Sequence, residues 1–272
     1  MCVRSLILVV FACLAQVVWA GSAVSHPGGV LRLAVGPAEA PPPSVSFLGQ
    51  RVLVHRHAGQ WEAVVGIPLD AQPGWMTLEA RDPEGTARAI PFTVEAFDYP
   101  VQHLRVRNKR HVNPNPEDLA RYQRERDAQD RAKRAWRDTA PASLSLSLPV
   151  TGRRSSAFGL RRTFNGEPRN PHSGLDVAVP VGTPVKAPAA GRVTLTGDYF
   201  FNGRTVFVDH GQGLISMLCH LSRIDVAVGD EVRAGEVVAR SGVSGRATGP
   251  HVHWSVFLNG TSVNPEALVA GR

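Results

Sequence analysis

The stretch HSGLDVAVPVGTPVKAPAAGRV (172–193) sets β-branched residues between glycines and prolines. This pattern is typical of short strands separated by tight turns. Its segment GTPVKA (182–187) is echoed by GDEVRA (229–234), and a valine-bearing strand follows each of them within a few residues. The echo is too short to be a solenoid repeat. It favours two similar β-turn-β units stacked in one sheet sandwich.

Five polar side chains in this part of the chain could bind a metal ion or move protons beside one. His251 and His253 are two residues apart, so in a strand they share a face, and His172 and Asp176 can share one if their segment is extended. His220 ends a further alternating strand. A catalytic zinc site takes three protein ligands and keeps a position for water. The two surplus histidines would then serve as general base, general acid or oxyanion donors.

The order and spacing of four blocks, over about residues 150–266, resemble the M23 metallopeptidases, the lysostaphin-type cell-wall endopeptidases. The blocks are HSGLDVAVPVGTPVKAPAAGRV (172–193), VDHGQGLISMLCHLS (208–222), VGDEVRAGEVVARSG (228–242) and SGRATGPHVHWSV (244–256). The resemblance implies an antiparallel two-sheet sandwich with a groove open at the metal.

The same resemblance assigns roles to the five side chains. It implies that His172, Asp176 and His253 bind one Zn²⁺ ion. It places His251 and His220 as the catalytic residues, in the water-activating or transition-state position, without deciding which of them is the base.

The chain departs from the resemblance before the histidine of the HLS segment. Many M23 members have Tyr-Ala there, whereas this chain has Leu218-Cys219. Since neighbours in a strand point to opposite faces, we expect Cys219 to point away from His220, which disfavours a fourth-ligand role for the thiol. His210, in the segment DHGQG, is expected to be a turn residue.

The front of the chain predicts a mainly β protein with a separate first domain. Residues 24–98 contain about seven short alternating stretches, which favour an immunoglobulin-like β-sandwich. Residues 99–144 form a basic linker with a helix over 113–138, beginning at an Asn-Pro cap, and a solvated linker is favoured over a basic arm that contacts the cell wall. Residues 145–272 then form the M23-type metallopeptidase domain.

The first 20 residues predict a secretory signal peptide cleaved after about Ala20, because one arginine precedes a short apolar run and a small-residue cleavage site. Removal of this segment leaves Cys219 as the one cysteine, so the exported chain relies on its core or a metal rather than a disulfide. The expected location is the periplasm, or otherwise the extracellular space. No stable membrane insertion is expected after cleavage.

The formal net charge of +7 suggests a polyanionic neighbour. Peptidoglycan is the expected partner, and the stretch RRSSAFGLRR (153–162) together with the linker could hold the protein on an anionic wall. Nucleic acid is not expected, because no zinc-finger spacing or RNA-binding aromatic motif occurs. The sequence does not indicate protein regulators.

These patterns together predict a secreted zinc endopeptidase that hydrolyses peptide bonds in peptidoglycan stem peptides or cross-links. Two alternatives remain open. One is a catalytically inactive M23-like module that binds the wall and activates another hydrolase. The other is a carrier or sugar-phosphotransfer domain, since similar Gly-Val-Pro stretches occur in such folds.

Overall fold

A computed structural model describes residues 23–270, so the predicted signal peptide lies outside the described residues. The mainly β prediction is confirmed, with one long helix among the described elements. The first eight strands are β1 (Val24–Ser25), β2 (Val30–Pro37), β3 (Ser44–Phe47), β4 (Gln50–Arg51), β5 (Leu53–His57), β6 (Gln60–Gly66), β7 (Gly74–Arg81) and β8 (Ala87–Val94).

These eight strands form two sheets that enclose an apolar core. One sheet has the order β1-β8-β7-β3-β4 and the other the order β2-β6-β5. Alternate residues point inward, as a half-buried strand requires. Phe47, Phe92 and Leu78 of the first sheet pack against Leu31 and Val65 of the second.

The later part of the chain forms a second, larger unit around a ten-stranded sheet. Its elements are β9 (Val101–Leu104), α1 (Pro116–Lys133), β10 (Arg153–Ser156), β11 (Arg161–Phe164), β12 (Glu167–Arg169), β13 (Leu175–Ala178), β14 (Pro184–Lys186), β15 (Gly191–Tyr199), β16 (Gly203–Gly211), β17 (Leu214–Ile224), β18 (Glu231–Val232), β19 (Val237–Ser241), β20 (His251–Leu258) and β21 (Thr261–Val263).

The large sheet is antiparallel throughout. Its main order is β10-β13-β20-β17-β16-β15-β18, with β21 beside β20, and β14 and β19 attached through β17. Leu218 and Trp254 on one face pack in a single core with Val185 of β14 and Val238 of β19.

The opposite face of the sheet packs against α1. Met217, Phe257 and Cys219 form a small cluster there with Ala132 of the helix. The histidines of β20 lie on this second face, because they alternate with Val252 and Trp254.

The β17 strand changes partners at His220, and this change shapes the site. Up to Cys219 it pairs with β20, and from Leu221 onward it pairs with β19. His220 has a φ of 60°, and the register with β16 shifts at the same place. A non-glycine residue with positive φ is uncommon and marks a bulge or a functional constraint.

The connector between the two units differs from the prediction. The helix spans Pro116–Lys133, within the predicted 113–138, and Asn115 caps it. One face of the helix is not solvated, because polar side chains dock it on the sheet, whereas its outward face is exposed as expected of a linker. Glu125 accepts a hydrogen bond from the Phe200 N–H, and Gln129 accepts one from Asn202. Because the helix is mostly charged, its hydrophobic pattern does not indicate which face packs on the sheet.

The first sandwich is fixed to the second unit at the far end of β20. Asn259 accepts a hydrogen bond from the buried Gly66 N–H at 2.7 Å and donates one to the Gly66 carbonyl at 3.0 Å. His253 lies six residues earlier on β20, about 20 Å away along the strand. This contact therefore lies well away from the histidines.

We expect Asn259→Ala to lower the free energy of unfolding by about 2–4 kcal/mol, because two buried backbone groups of Gly66 lose their partners and alanine fits the positive φ of residue 259 less well than asparagine. Asn259→Asp keeps the acceptor but turns a buried carboxylate oxygen towards the Gly66 carbonyl oxygen, so its loss should be at least as large. Urea unfolding of the three proteins measures both effects. An alanine variant as stable as the wild type would show that this contact does not hold the units together.

Within residues 23–270, no helix is both long and apolar enough to cross a membrane.

Candidate metal centre

Three of the predicted side chains converge on one point. Asp176 of β13 lies directly opposite His253 of β20 in the antiparallel register. His172 lies in the loop before β13, where its backbone exchanges hydrogen bonds with Gly159 and Leu160. The inner atoms are His172 Nε2, Asp176 Oδ1 and His253 Nδ1, and their three separations are 3.0, 3.0 and 2.8 Å.

His172 and His253 each use the outer ring nitrogen in a hydrogen bond. This leaves the inner nitrogen unprotonated and able to bind a metal. His172 Nδ1 donates to the Ala157 carbonyl, so its neutral ring carries a lone pair at Nε2. His253 Nε2 lies 2.8 Å from the Ser255 hydroxyl, which can accept its proton and leave Nδ1 bare. Two lone pairs and a carboxylate oxygen thus face one another, an arrangement that suits a divalent cation.

Burial and hydrogen bonding favour the ligand forms of these groups. Burial disfavours the charged carboxylate, but without a bound metal the His172 and His253 rings can turn N–H groups to it, and these hydrogen bonds hold the pKa of Asp176 well below its usual value. Burial lowers the pKa of His253 to about 4, against the opposing effect of Asp176. An anionic carboxylate and neutral imidazoles are the protonation states that metal binding requires.

Gly174 makes the close approach of His253 possible. A Cβ at residue 174 would lie 2.5 Å from the Trp254 carbonyl oxygen and 2.7 Å from Cε1 of the His253 ring. The glycine of the segment HSGLD therefore has a steric role in seating the imidazole.

His251 and His220 stand beside the three converging side chains. Their ring centroids are 4.7 Å apart, and the His220 ring is 6.0 Å from that of His253. Each Nδ1 donates to a carbonyl, from His251 to Gly249 and from His220 to Ser244. Each Nε2 is then free to accept a proton. Burial, with the two neighbouring histidines of β20, lowers the pKa of His220 to about 3.

The structure corrects the prediction that Cys219 and His220 point to opposite faces. Cys219 pairs with His253 across the sheet, so the two share a face. His220 reaches the same side because its positive φ breaks the alternation of the strand. The thiol contacts Thr205, and burial raises its pKa to about 12. Among the described residues, the one group of three or more converging ligand side chains excludes Cys219.

Two family models match the chain in sequence order. Residues 24–96 match the peptidase family M23 N-terminal domain, and residues 170–265 match peptidase family M23. A crystal structure of a protein from Pseudomonas aeruginosa assigned to peptidase M23 is 46% identical, with a TM-score of 0.76, and the match covers 90% of this chain and 94% of that one. The chain belongs to peptidase family M23. It is therefore not one of the carrier or sugar-phosphotransfer domains considered as an alternative.

Curated relatives match a shorter part of this M23 chain. The DD-carboxypeptidase/endopeptidase Mpg of Neisseria meningitidis is 42% identical over 119 residues, which are 44% of this chain and 27% of the relative. The peptidoglycan DD-endopeptidase ShyA of Vibrio cholerae is 39% identical over 111 residues, which are 40% of this chain and 26% of the relative. The chain spans about a quarter of the length of these relatives.

The M23 site has an outer layer that the sequence did not predict. Arg162 donates to Asp176 Oδ2 at 2.9 Å, to the Ser156 hydroxyl at 2.7 Å and to Gln102 Oε1 at 3.1 Å. Gln102 belongs to β9, which pairs in parallel with β11. The connector thus supplies part of the support of the metal centre.

In the arginine run RRSSAFGLRR (153–162), Arg162 alone leaves the surface, and the other three arginines stay exposed. Arg162 turns inward to Asp176, Arg154 pairs with Glu266, and Arg161 donates to the Tyr99 carbonyl. Three of its four arginines therefore have partners within the protein. Charge composition alone gives no signal for this distinction.

His210 is a buried strand residue rather than the expected turn residue. It lies at the end of β16, where its ring contacts the Ala190 carbonyl and the Ser216 hydroxyl. Burial lowers its pKa to about 4, below the ordinary value near 6.5. The His210 ring is therefore neutral in the folded protein near neutral pH.

Because the pKa of His210 is lower in the folded state, the unfolded chain takes up the proton first between pH 6.5 and about 4. The contribution of His210 to stability should therefore be lost as the pH falls through this window, by up to about 3 kcal/mol. We expect His210→Gln to lose less unfolding free energy than the wild type between pH 7 and pH 4.5. Urea unfolding at both pH values isolates His210, since the two proteins share all other titrating groups. Equal losses would contradict the assignment.

Proposed function

We propose that this M23 chain is an exported zinc endopeptidase that hydrolyses peptide bonds in peptidoglycan, with a periplasmic location. The observation that carries the proposal is the convergence of His172 Nε2, Asp176 Oδ1 and His253 Nδ1, with two further imidazoles beside them. The names of the relatives support a cell-wall peptide as the substrate. They also favour direct cross-links between stem peptides as the bonds cleaved.

The donor set fits zinc. Imidazole and carboxylate ligands without a thiolate leave more positive charge on the metal, and three protein ligands keep a position open. When bound, Zn²⁺ supplies Lewis-acid polarisation of the scissile carbonyl and lowers the pKa of a water molecule towards about 7.

The residues of the chain then handle the proton and the developing charge. The Nε2 atom of His251 lies 3.8 Å from Asp176 Oδ1, so this ring would be close enough to the three inner atoms to take a proton from an attacking water held there. His220 stands on the other side of His251, with Nδ1 anchored to the Ser244 carbonyl. One of the two rings would take this proton at Nε2, stabilise the oxyanion in that protonated form, and then return the proton to the leaving amine.

The test is digestion of purified cross-linked peptidoglycan by the exported chain with zinc present. We expect cross-linked peptides to be converted to uncross-linked ones, with the new termini identified by mass spectrometry. Elemental analysis should find one zinc per chain. A folded protein that binds zinc but releases no fragment would instead support the inactive, wall-binding alternative.

A further inference from the structure

Arg246, in the loop between β19 and β20, is held in an unusual setting. Its guanidinium lies over two aromatic rings, with Cζ 4.8 Å from the centroid of Phe164 and 4.4 Å from that of Phe201. Cation–π contacts of this kind fix the plane and direction of the group. The guanidinium is therefore oriented before any ligand arrives.

The hydrogen-bonding edge of Arg246 is nearly unused. One side-chain hydrogen bond is formed, from Nη1 to the His111 carbonyl at a long 3.5 Å. Within residues 23–270, no carboxylate lies at ion-pair distance from it. The side-chain nitrogens of Arg246 that have no hydrogen-bond partner are accessible to solvent. An arginine presents five donors in a planar fork that matches a carboxylate, so most of this fork is open to an anion.

The positive charges around Arg246 favour binding of an anion at this position. Burial lowers the pKa of Arg246 to about 10, and the nearby cations Arg162 and Arg169 act in the same direction. Those two arginines have carboxylate partners, Asp176 and Glu167 respectively. Arg246 is thus the uncompensated member of this cluster.

Two connections place Arg246 beside the metal centre. Phe164 and Arg162 are two residues apart on β11 and share a face, with a spacing of about 7 Å. Phe164 contacts Arg246, whereas Arg162 contacts Asp176. On the other side, the Ser244 carbonyl of the same loop accepts the Nδ1 proton of His220. Gly245, with a φ of 68°, lets the loop turn between Ser244 and Arg246.

We propose that Arg246 is a specificity-determining residue that binds a carboxylate of the peptide substrate through paired N–H···O bonds. The proposal rests on the proposed function, since it names a chemical feature of the substrate of that site. The carboxylate is one that the bound peptide places next to its scissile bond, either at a chain end or on a side chain.

The experiment uses the exported chain loaded with zinc and a synthetic cross-linked stem-peptide dimer. One form has every carboxylate free, and in the other forms each carboxylate in turn is replaced by a carboxamide, which separates chain-end from side-chain sources. We expect one replacement to lower kcat/KM of the wild type by about 10- to 100-fold, as for the loss of a hydrogen-bonded charge pair. Calorimetric affinities of the zinc-stripped protein for the same peptides should fall in the same order.

Arg246→Gln should lose the same factor on the free-carboxylate peptide and show no further loss on the amidated one. Arg246→Lys, which keeps the charge but not the fork, should retain part of the preference. The matched control is Arg192→Gln on β15, an exposed arginine beside Glu231, which should behave as the wild type. Zinc content and thermal unfolding show whether each variant is folded.

The possible results separate the two proposals. Equal cleavage of all peptide forms by the wild type overturns the role of Arg246 and leaves the proposed function intact, as does an unchanged carboxylate preference in a folded Arg246→Gln. If the wild type cleaves none of the peptides with zinc present, the proposed function fails and this inference fails with it. If Arg246→Gln does not fold, the amidation series and Arg246→Lys decide the question.

Discussion

Replacement of His253 or Asp176 by alanine is expected to remove bound zinc and peptidase activity together. Each side chain supplies one of the three inner atoms, and the remaining two ligands cannot complete a zinc site. The loss of activity should exceed the roughly 10- to 100-fold typical of a residue that only supports a ligand. Elemental analysis of the purified variants and digestion of cross-linked peptidoglycan measure the two effects.

His57→Ala is the matched control for this experiment, because His57 is exposed on the first sandwich. It should keep one zinc per chain and full activity. Asp176→Asn tests the carboxylate charge while nearly keeping the side-chain shape. A folded His253→Ala that retains one equivalent of zinc and wild-type activity would remove the basis of the proposed metal centre.

His251→Ala is expected to lower the peptidase activity without removing the bound zinc. The ring contributes no atom to the group of three ligands, so zinc content should stay at one per chain. Activity should fall by about 100- to 10,000-fold, the usual contribution of a positioned general acid or base. Zinc content and kcat/KM on a defined cross-linked peptide provide the measurement. Full activity in this variant would show that the assignment of roles is wrong.

His220 needs a different replacement because its φ is 60°. Asparagine tolerates this backbone region better than alanine does, so His220→Asn reports on the ring rather than on backbone strain. We expect a loss of similar size with zinc retained. The pH–rate profiles of the two variants then show which limb each histidine controls.

The five site residues could be chosen from the sequence because their types and spacing carry the chemistry. The two histidines of HVH share a strand face by simple alternation, and the structure has them on one face of β20. Their meeting with Asp176, which is 77 residues from His253 in sequence, depends on strand pairing. Local periodicity contains no such information, so the resemblance to M23 members was needed.

The errors concern features that depend on tertiary contacts. A single positive φ at His220 turns two neighbouring side chains to the same face, which alternation forbids. From the sequence alone Arg162 is expected to be a surface charge, but the positions of β11 and β13 bring it into contact with Asp176. From the sequence alone His210 is expected to be a turn residue, but in the fold its ring is buried in contact with Ala190 and Ser216. Charge and turn composition do not report which neighbours a folded chain provides.

The parallel pairing of β9 with β11 limits how far the protein can be shortened. A fragment starting at residue 145 would lack β9 and α1. The N–H and C=O groups along the edge of β11 would become available for pairing with other chains. Met217 and Phe257 would lose the cover of Ala132 and face water. A shortened version that keeps the metal centre and its support intact must therefore begin no later than Val101.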